Sequence, residues 1–167
     1  MKTLMYMGMT VNGYISRENG NTPWPKEEWD SYHRISKQYK AIVIGRKTYD
    51  VMVKEKVFKN IGNPFTIVLT KKKLKGKQNV VFVKSAREAI KIAEKKGFGK
   101  LLISGGGVTN SSMIKEGLVD ELYIDVMPLL FGKGVKLFKE ENFEKKLKLK
   151  EVKMLSSQVI QLRYTVI

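Results

Sequence analysis

The amino-acid sequence predicts an α/β fold on a mixed, mostly parallel sheet, and three observations carry that expectation. Short β-branched runs such as Ala41-Ile42-Val43-Ile44-Gly45 have the composition of strands buried on both faces. Over the first two thirds of the chain these runs alternate with helical patterns, as parallel strands joined by crossover helices do. The last third has strand patterns with no helix between them, which adds antiparallel partners to the parallel core.

Taken in order, Thr3 to Met9 is an apolar strand, followed by a Gly/Asn-rich loop from Val11 to Trp24. A helix begins near Pro25, a residue tolerated in a first turn, with Glu27 and Glu28 well placed against the helix dipole. After the strand at 41–45, Arg46 to Lys54 forms a short helix. Pro64 to Thr70 and Asn79 to Val83 are two more buried strands. Ala86 to Lys96 is a helix with Ala89, Ile90 and Ala93 on one face, ended by Gly97. Lys100 to Ser104 is a strand that runs into three glycines and a helix from Thr109 to Glu116. Val119 to Pro128, Lys145 to Leu155 and Gln158 to Ile167 complete the strands. Lys146, Lys148 and Lys150 share one face of their strand and Leu147 and Leu149 the other, the pattern of a solvated strand guarded against edge pairing.

Composition narrows the class. The 167 residues suit one compact domain, 1–167, and a hydrophobic share of 43% is enough to bury a core. No apolar run approaches the ~18 residues that cross a bilayer, so no membrane partner is expected. The start of the chain lacks the length and cleavage site of a secretory signal, which makes the cytoplasm the expected address. Without cysteines, disulfides, thiolate catalysis and zinc-thiolate sites are excluded, and with His33 as the one histidine no metal site is expected. The net charge of +16 attracts anions, whether nucleic acid, phosphorylated metabolites or a phosphate-bearing cofactor. The lysines are spread along the whole chain, as simple surface solvation also predicts.

Local motifs sharpen this. In Leu101-Leu102-Ile103-Ser104-Gly105-Gly106-Gly107-Val108-Thr109-Asn110 a buried strand ends in three glycines and a helix follows directly. Glycines let the backbone turn tightly and let a phosphate approach the free N–H groups of a helix start. The dinucleotide fingerprint is incomplete, because Asn110 stands where its third glycine belongs. Asp125 lies about 20 residues after Gly105, where a ribose acid might stand, but it falls mid-strand after the next helix and is set aside. Gly45-Arg46-Lys47-Thr48-Tyr49 is a second strand end with cations and a hydroxyl at a helix start, and Leu69-Thr70-Lys71-Lys72-Lys73 is a third. Three such ends in one parallel sheet converge on the edge where α/β folds bind ligands.

Val11-Asn12-Gly13-Tyr14-Ile15-Ser16, then Gly45-Arg46-Lys47-Thr48, then Gly105-Gly106-Gly107 resemble, in that order, the dihydrofolate-reductase-like superfamily. Ser104-Gly105-Gly106-Gly107, Glu116-Gly117-Leu118-Val119-Asp120-Glu121-Leu122 and Pro128-Leu129-Leu130-Phe131-Gly132 are similar to the reductase domain of riboflavin biosynthesis, the C-terminal half of the bifunctional deaminase-reductase. The resemblance spans nearly the whole chain and includes no deaminase half. It implies a three-layer α/β fold: a mixed, mostly parallel central sheet, flanking helices and a C-terminal antiparallel hairpin. It also implies a homodimer, to which apolar residues of the Met127 to Phe138 segment could contribute, and hydride transfer from NADPH to a C=N of a pyrimidine- or pterin-type substrate.

The resemblance assigns roles to particular residues. Arg46, Lys47 and Thr48, after Gly45, would bind the 2′-phosphate and pyrophosphate region, with Thr70 and Lys71 beside the adenosine end. Gly105, Gly106, Gly107, Val108 and Thr109 would hold the pyrophosphate. Gly8 and the loop Gly13, Tyr14, Ile15, Ser16 would lie near the nicotinamide ribose, with Trp24 closing the loop on the substrate. Folate reductases carry a proton-delivering carboxylate on the first helix, four residues before an aromatic, and Glu28 and Tyr32 have that spacing. At ~100° per residue, Glu28 shares a face with Trp29, Tyr32 and Ile35, while Glu27 and Asp30 point away. Glu28 is thus the candidate catalytic acid, although a first-turn glutamate also serves a helix terminus. Lys133 and Lys136 could hold a substrate phosphate or be solvated turn residues. Two alternatives stand beside this reading: a folate reductase proper, and a basic nucleic-acid-binding module for which no sequence motif is present.

Overall fold

The computed structural model describes residues 1–167. In chain order its elements are β1 (Lys2–Thr10), β2 (Tyr14–Ser16), α1 (Lys26–Ser36), β3 (Ala41–Gly45), α2 (Arg46–Lys54), α3 (Val57–Asn60), β4 (Phe65–Leu69) and β5 (Val80–Val83). They continue as α4 (Ala86–Lys95), β6 (Lys100–Ile103), α5 (Gly107–Lys115), β7 (Glu121–Met127), β8 (Val135–Lys136), β9 (Leu147–Met154) and β10 (Ile160–Val166). Eight strands form one sheet in the order β5-β4-β3-β6-β1-β7-β10-β9, and β2 pairs with β8 in a small second sheet. From β5 through β7 every pairing is parallel; β10 runs antiparallel to β7, and β9 to β10.

The two-residue period of the strands sorts their side chains into two cores. On one face Leu4, Tyr6, Ile42, Ile44 and Leu102 pack beneath Tyr32 and Ile35 of α1 and Met52 of α2. On the other, Met5, Ala41, Val43 and Ile103 meet Ala86, Ala89 and Ala93 of α4 and Met113 and Ile114 of α5. The small alanines of α4 let that helix lie close to the sheet. The result is the three-layer, dihydrofolate-reductase-like α/β fold with flanking helices and a C-terminal antiparallel hairpin. No helix is long and apolar enough to cross a membrane.

Several local features differ from expectation. The loop Val11 to Trp24 contains β2, pinned by its pairing with β8 inside the Met127 to Phe138 segment. The short helix α3 follows α2 without a sequence signal, entered through Lys56 at φ 56°. Helix α5 starts at Gly107, two residues before Thr109, and a Cβ on Gly107 would meet the Lys136 carbonyl at 2.4 Å. Strand β7 belongs to the parallel set, since α5 crosses over before it. Strand β9 is the outermost strand, and no helix covers it, so Leu147 and Leu149 are exposed along with the lysines opposite.

Candidate active site

Strands β3 and β6 are neighbours, and both end at the same edge of the sheet. There the Gly45 N–H donates to the Gly105 carbonyl at 2.7 Å and the Ser104 N–H to the Val43 carbonyl at 3.0 Å. A Cβ on Gly45 would stand 2.7 Å from Thr109 Oγ1 and 3.6 Å from the Gly106 nitrogen, and one on Gly106 would reach Thr48 Oγ1 at 3.4 Å. The two motifs found far apart in the sequence are therefore walls of one surface. Gly105 sits at φ +86°, a conformation that favours glycine, and its Cβ position is 3.0 Å from the Met7 methyl, which brings the loop against β1.

Helices α2 and α5 begin at this surface with Gly45 and Gly106 as N-caps, and neither has a side-chain cap. Their first N–H groups are left for another acceptor, and the helix dipole favours an anionic one. Helix α4 differs: Ser85 Oγ accepts from the Glu88 N–H, and Glu88 reaches back to the Lys84 N–H. Arg46 is ion-paired with Asp50 one turn on, whereas Lys47 is exposed with no acidic partner. Beside them Thr70 Oγ1 accepts from the Lys72 N–H at 3.1 Å, and Lys71 is exposed. A cleft of about 340 Å³ continues outward, lined among others by Thr70, Lys72, Phe82 and Lys84. Val108 projects outward, while Thr109 is buried against Gly45. Asn110 uses its amide to donate to the Leu137 carbonyl at 2.9 Å, fixing the segment that carries β8.

On the far side of Met7 lies Gly8. A Cβ there would meet Glu28 Oε1 at 3.0 Å, Trp24 Nε1 at 3.1 Å and the Met127 methyl at 3.2 Å, so carboxyl, indole and thioether close on the bare backbone of Gly8. Glu28 is only 3% exposed, and its Oε2 has no hydrogen-bond partner. Burial, reinforced by the nearby Asp125 carboxylate, pushes its carboxyl up to about 8. Glu27 and Asp30 face solvent, as the helical spacing predicts. Tyr32 is buried; its hydroxyl is 2.9 Å from Ser104 Oγ, tying α1 to the base of the glycine loop. Trp24 stacks on Phe131 with centroids 6.1 Å apart and planes 8° apart. Asn12 clamps Phe131 through its backbone, donating to its carbonyl at 2.8 Å and accepting from its N–H at 3.2 Å. Gly13 turns at φ +87°, Tyr14 packs on Phe131, and Ile15 and Ser16 face inward, Ile15 within the core. His33 is half-buried against Trp29 and Tyr32. Lys136 is ion-paired with Glu140, and Lys133 is exposed.

A family model described as the RibD C-terminal domain matches residues 2–161. The chain belongs to this family. The Bacillus subtilis proteins YwjB and YyaP, both uncharacterized, are 29% and 28% identical to it; each comparison covers 98% of this chain, with 97% and 94% of the relative. Among solved structures, a protein from Shewanella sp. PV-4 provisionally named for riboflavin biosynthesis superposes with a TM-score of 0.82 at 23% identity, covering 100% of this chain and 99% of that one. A pyrimidine reductase-like protein from Corynebacterium diphtheriae gives 0.79 at 16% identity over 99% and 92%. The diaminohydroxyphosphoribosylaminopyrimidine deaminase/5-amino-6-(5-phosphoribosylamino)uracil reductase from Thermotoga maritima gives 0.77 at 16%, and there the match spans 99% of this chain but 56% of the longer one.

Within this RibD-type fold the sequence reasoning missed three side chains beneath Glu28. Asp125, set aside as a ribose ligand, is fully buried opposite Gly8 in the β1–β7 register. It accepts from the Tyr6 hydroxyl and, at 2.8 Å, from Gln161 Nε2. The available signal was an acid inside the apolar run Leu122 to Met127, where an unpaired charge is too costly to bury.

Proposed function

We propose that this protein is an NADPH-dependent reductase that delivers a hydride to a C=N of a pyrimidine- or pterin-type heterocycle, in the manner of a riboflavin-biosynthesis 5-amino-6-(5-phosphoribosylamino)uracil reductase. The observation that carries the reading is Glu28, a buried carboxyl without a partner that lies against Gly8 at the end of a phosphate-friendly strand edge. The uncapped starts of α2 and α5 fit a pyrophosphate, with Thr48 and the Gly105–Thr109 backbone around it. Arg46, Lys47, Thr70 and Lys71 suit the additional phosphate that distinguishes NADPH from NADH. When bound, NADPH supplies the hydride, and the protein supplies placement and a proton. Glu28 Oε1 and Trp24 Nε1 both lie against Gly8, and Trp24 stacked on Phe131 would shield a ring bound beside them from water. Glu28, protonated at neutral pH, gives its proton to the substrate nitrogen, becomes a carboxylate and is reloaded from solvent.

A second reading, dihydrofolate reductase, is favoured by one observation: Lys136 is paired with Glu140 and must leave it to meet a ribotide phosphate, as Lys133 need not. The protein is further proposed to act in the cytoplasm as a homodimer. Support for the dimer is the open face of β9, where Leu149, Val152 and Met154 are each more than half exposed. In the segment suggested by the sequence, Met127 and Leu137 are core residues, while Leu130 and Val135 are exposed. Val152→Lys should shift sedimentation from dimer to monomer; a wild type that sediments as a monomer at micromolar concentration excludes this interface.

The deciding experiment is titration with NADPH and NADH, followed by turnover with dihydrofolate and with the aminopyrimidine ribotide. Preference for NADPH and oxidation of it by the ribotide support the first reading. Turnover with dihydrofolate alone selects the second, and binding of neither dinucleotide rejects both.

A further inference from the structure

Glu28 and Asp125 are buried side by side on the α1 face of the sheet, and their surroundings are unequal. Asp125 has a donor on each oxygen, the Tyr6 hydroxyl on Oδ2 and Gln161 Nε2 on Oδ1. Gln161 has no freedom to turn its amide round. Arg163 Nε donates to Gln161 Oε1 at 2.6 Å, and Arg163 is held in turn by Glu151 at 2.7 Å. The amide nitrogen therefore points at Asp125 and at Ser31 Oγ, 3.3 Å away. Glu28, in the same pocket, makes no hydrogen bond, and its Oε2 is sealed from solvent. A carboxylate with donors on both oxygens is stabilised as an anion, while a buried carboxyl with no donor is stabilised as the neutral acid.

We infer that Asp125 is the resident anion of this pair and Glu28 its proton carrier, which makes Asp125 a positioning residue that keeps the proton on Glu28. The inference rests on the reading of Glu28 as the proton source. The groups facing the pair are Tyr6 from β1, Ser31, Tyr32 and Arg34 from α1, Ser104 after β6, and Gln161 and Arg163 from β10. The cations Arg34 and Arg163 act on Asp125 and lower its proton affinity, and neither contributes to Glu28. Burial raises Asp125 only to about 6, against about 8 for Glu28, the same order of proton loss that the donor geometry gives. Because the two acids interact, they titrate as a coupled pair. Two environments thus divide two identical functional groups into an anion and an acid.

The test follows side-chain carboxyl carbons of 13C-labelled Glu and Asp by NMR across pH. The Glu28 signal is assigned by its loss in Glu28→Gln. Removal of the neighbouring charge in Asp125→Asn should lower the Glu28 titration midpoint by about one unit or more. The alkaline limb of kcat should move down with it. A Glu28 midpoint that stays in place overturns the inference, whatever the variant does to turnover. A midpoint that moves while the kcat limb does not leaves the anion–acid pair intact and rejects Glu28 as the proton source. Should Asp125→Asn not fold, Tyr6→Phe decides the matter. Loss of one donor should raise the first midpoint of the pair, and an unchanged first midpoint overturns the inference.

Discussion

At one edge of the sheet, the candidate site has two halves made of different materials. From β4 to β6 it is built of backbone: uncapped N–H groups, glycines that let loops touch, and cations that reach in from the rim. Over β1, β7 and β10 it is built of side chains, with Asp125, Tyr6 and Gln161 interlocked by hydrogen bonds and Glu28 buried beside them. The first half holds charge where water can still share the load, so its interactions are individually modest. The second holds charge where nothing else can screen it, so each group there carries a large effect.

The largest expected effect falls in the buried half. Glu28→Gln should lower kcat by roughly 10²–10⁴-fold, the usual contribution of a positioned acid, while the Kd for NADPH stays the same. The same variant should be more stable than wild type in mildly alkaline solution. In the folded chain the Glu28 carboxyl keeps its proton to about 8, against an ordinary value of 4.5. Its favourable contribution is complete below the ordinary value and is lost as pH rises through the folded one. Wild-type Tm should thus fall relative to Glu28→Gln between about pH 5 and about pH 8. Parallel melting curves across that window would mean that the carboxyl is already ionised in the fold.

The two halves were not equally legible. Gly45–Thr48 and Gly105–Thr109 are contiguous in sequence, and a strand end followed by glycine and a helix start has a local physical meaning. Their meeting through Gly45 and Thr109 followed from the convergence of strand ends in a parallel sheet. In the buried half, only Glu28 stood out, because helical spacing placed it with Tyr32. Asp125 and Gln161 gain meaning only when β7 and β10 lie side by side, a pairing no local pattern specifies. Tyr6 looked like one more apolar strand residue until its hydroxyl had a partner. Strand β8 and helix α3 were missed because they are too short to show a period.

In the backbone half, effects are smaller and bear on the cofactor. Arg46→Ala should weaken NADPH by ~1.5–3 kcal/mol, the cost of a lost charged hydrogen bond, and leave NADH nearly unchanged. Arg46 must first leave Asp50, which places the expected loss toward the lower end of that range. Equal loss for both dinucleotides in fluorescence titrations would remove the 2′-phosphate from Arg46. Gly45→Ala tests the contact between the two motifs. Its methyl would press on Thr109 Oγ1 at 2.7 Å, so stability should fall by about 1–3 kcal/mol, with weaker binding of both dinucleotides because the shared surface is spread apart. Unfolding by urea and dinucleotide titration read the two consequences separately.

The smallest effect sharpens the comparison most, because it concerns a helix start that resembles the other two in position but not in chemistry. Helix α4 also follows a parallel strand of the same sheet, yet Ser85 and Glu88 already satisfy its first N–H groups. Ser85→Ala should cost about 1 kcal/mol of stability in urea unfolding and leave NADPH affinity untouched. The caps of α2 and α5 are glycines, so no side chain competes with an incoming anion for their N–H groups. Inorganic pyrophosphate should therefore raise the Tm of wild type and of Ser85→Ala by the same increment. A larger increment in Ser85→Ala would show the anion acting as a substitute cap on α4, and would move the phosphate site two strands outward along the edge, from β3 to β5.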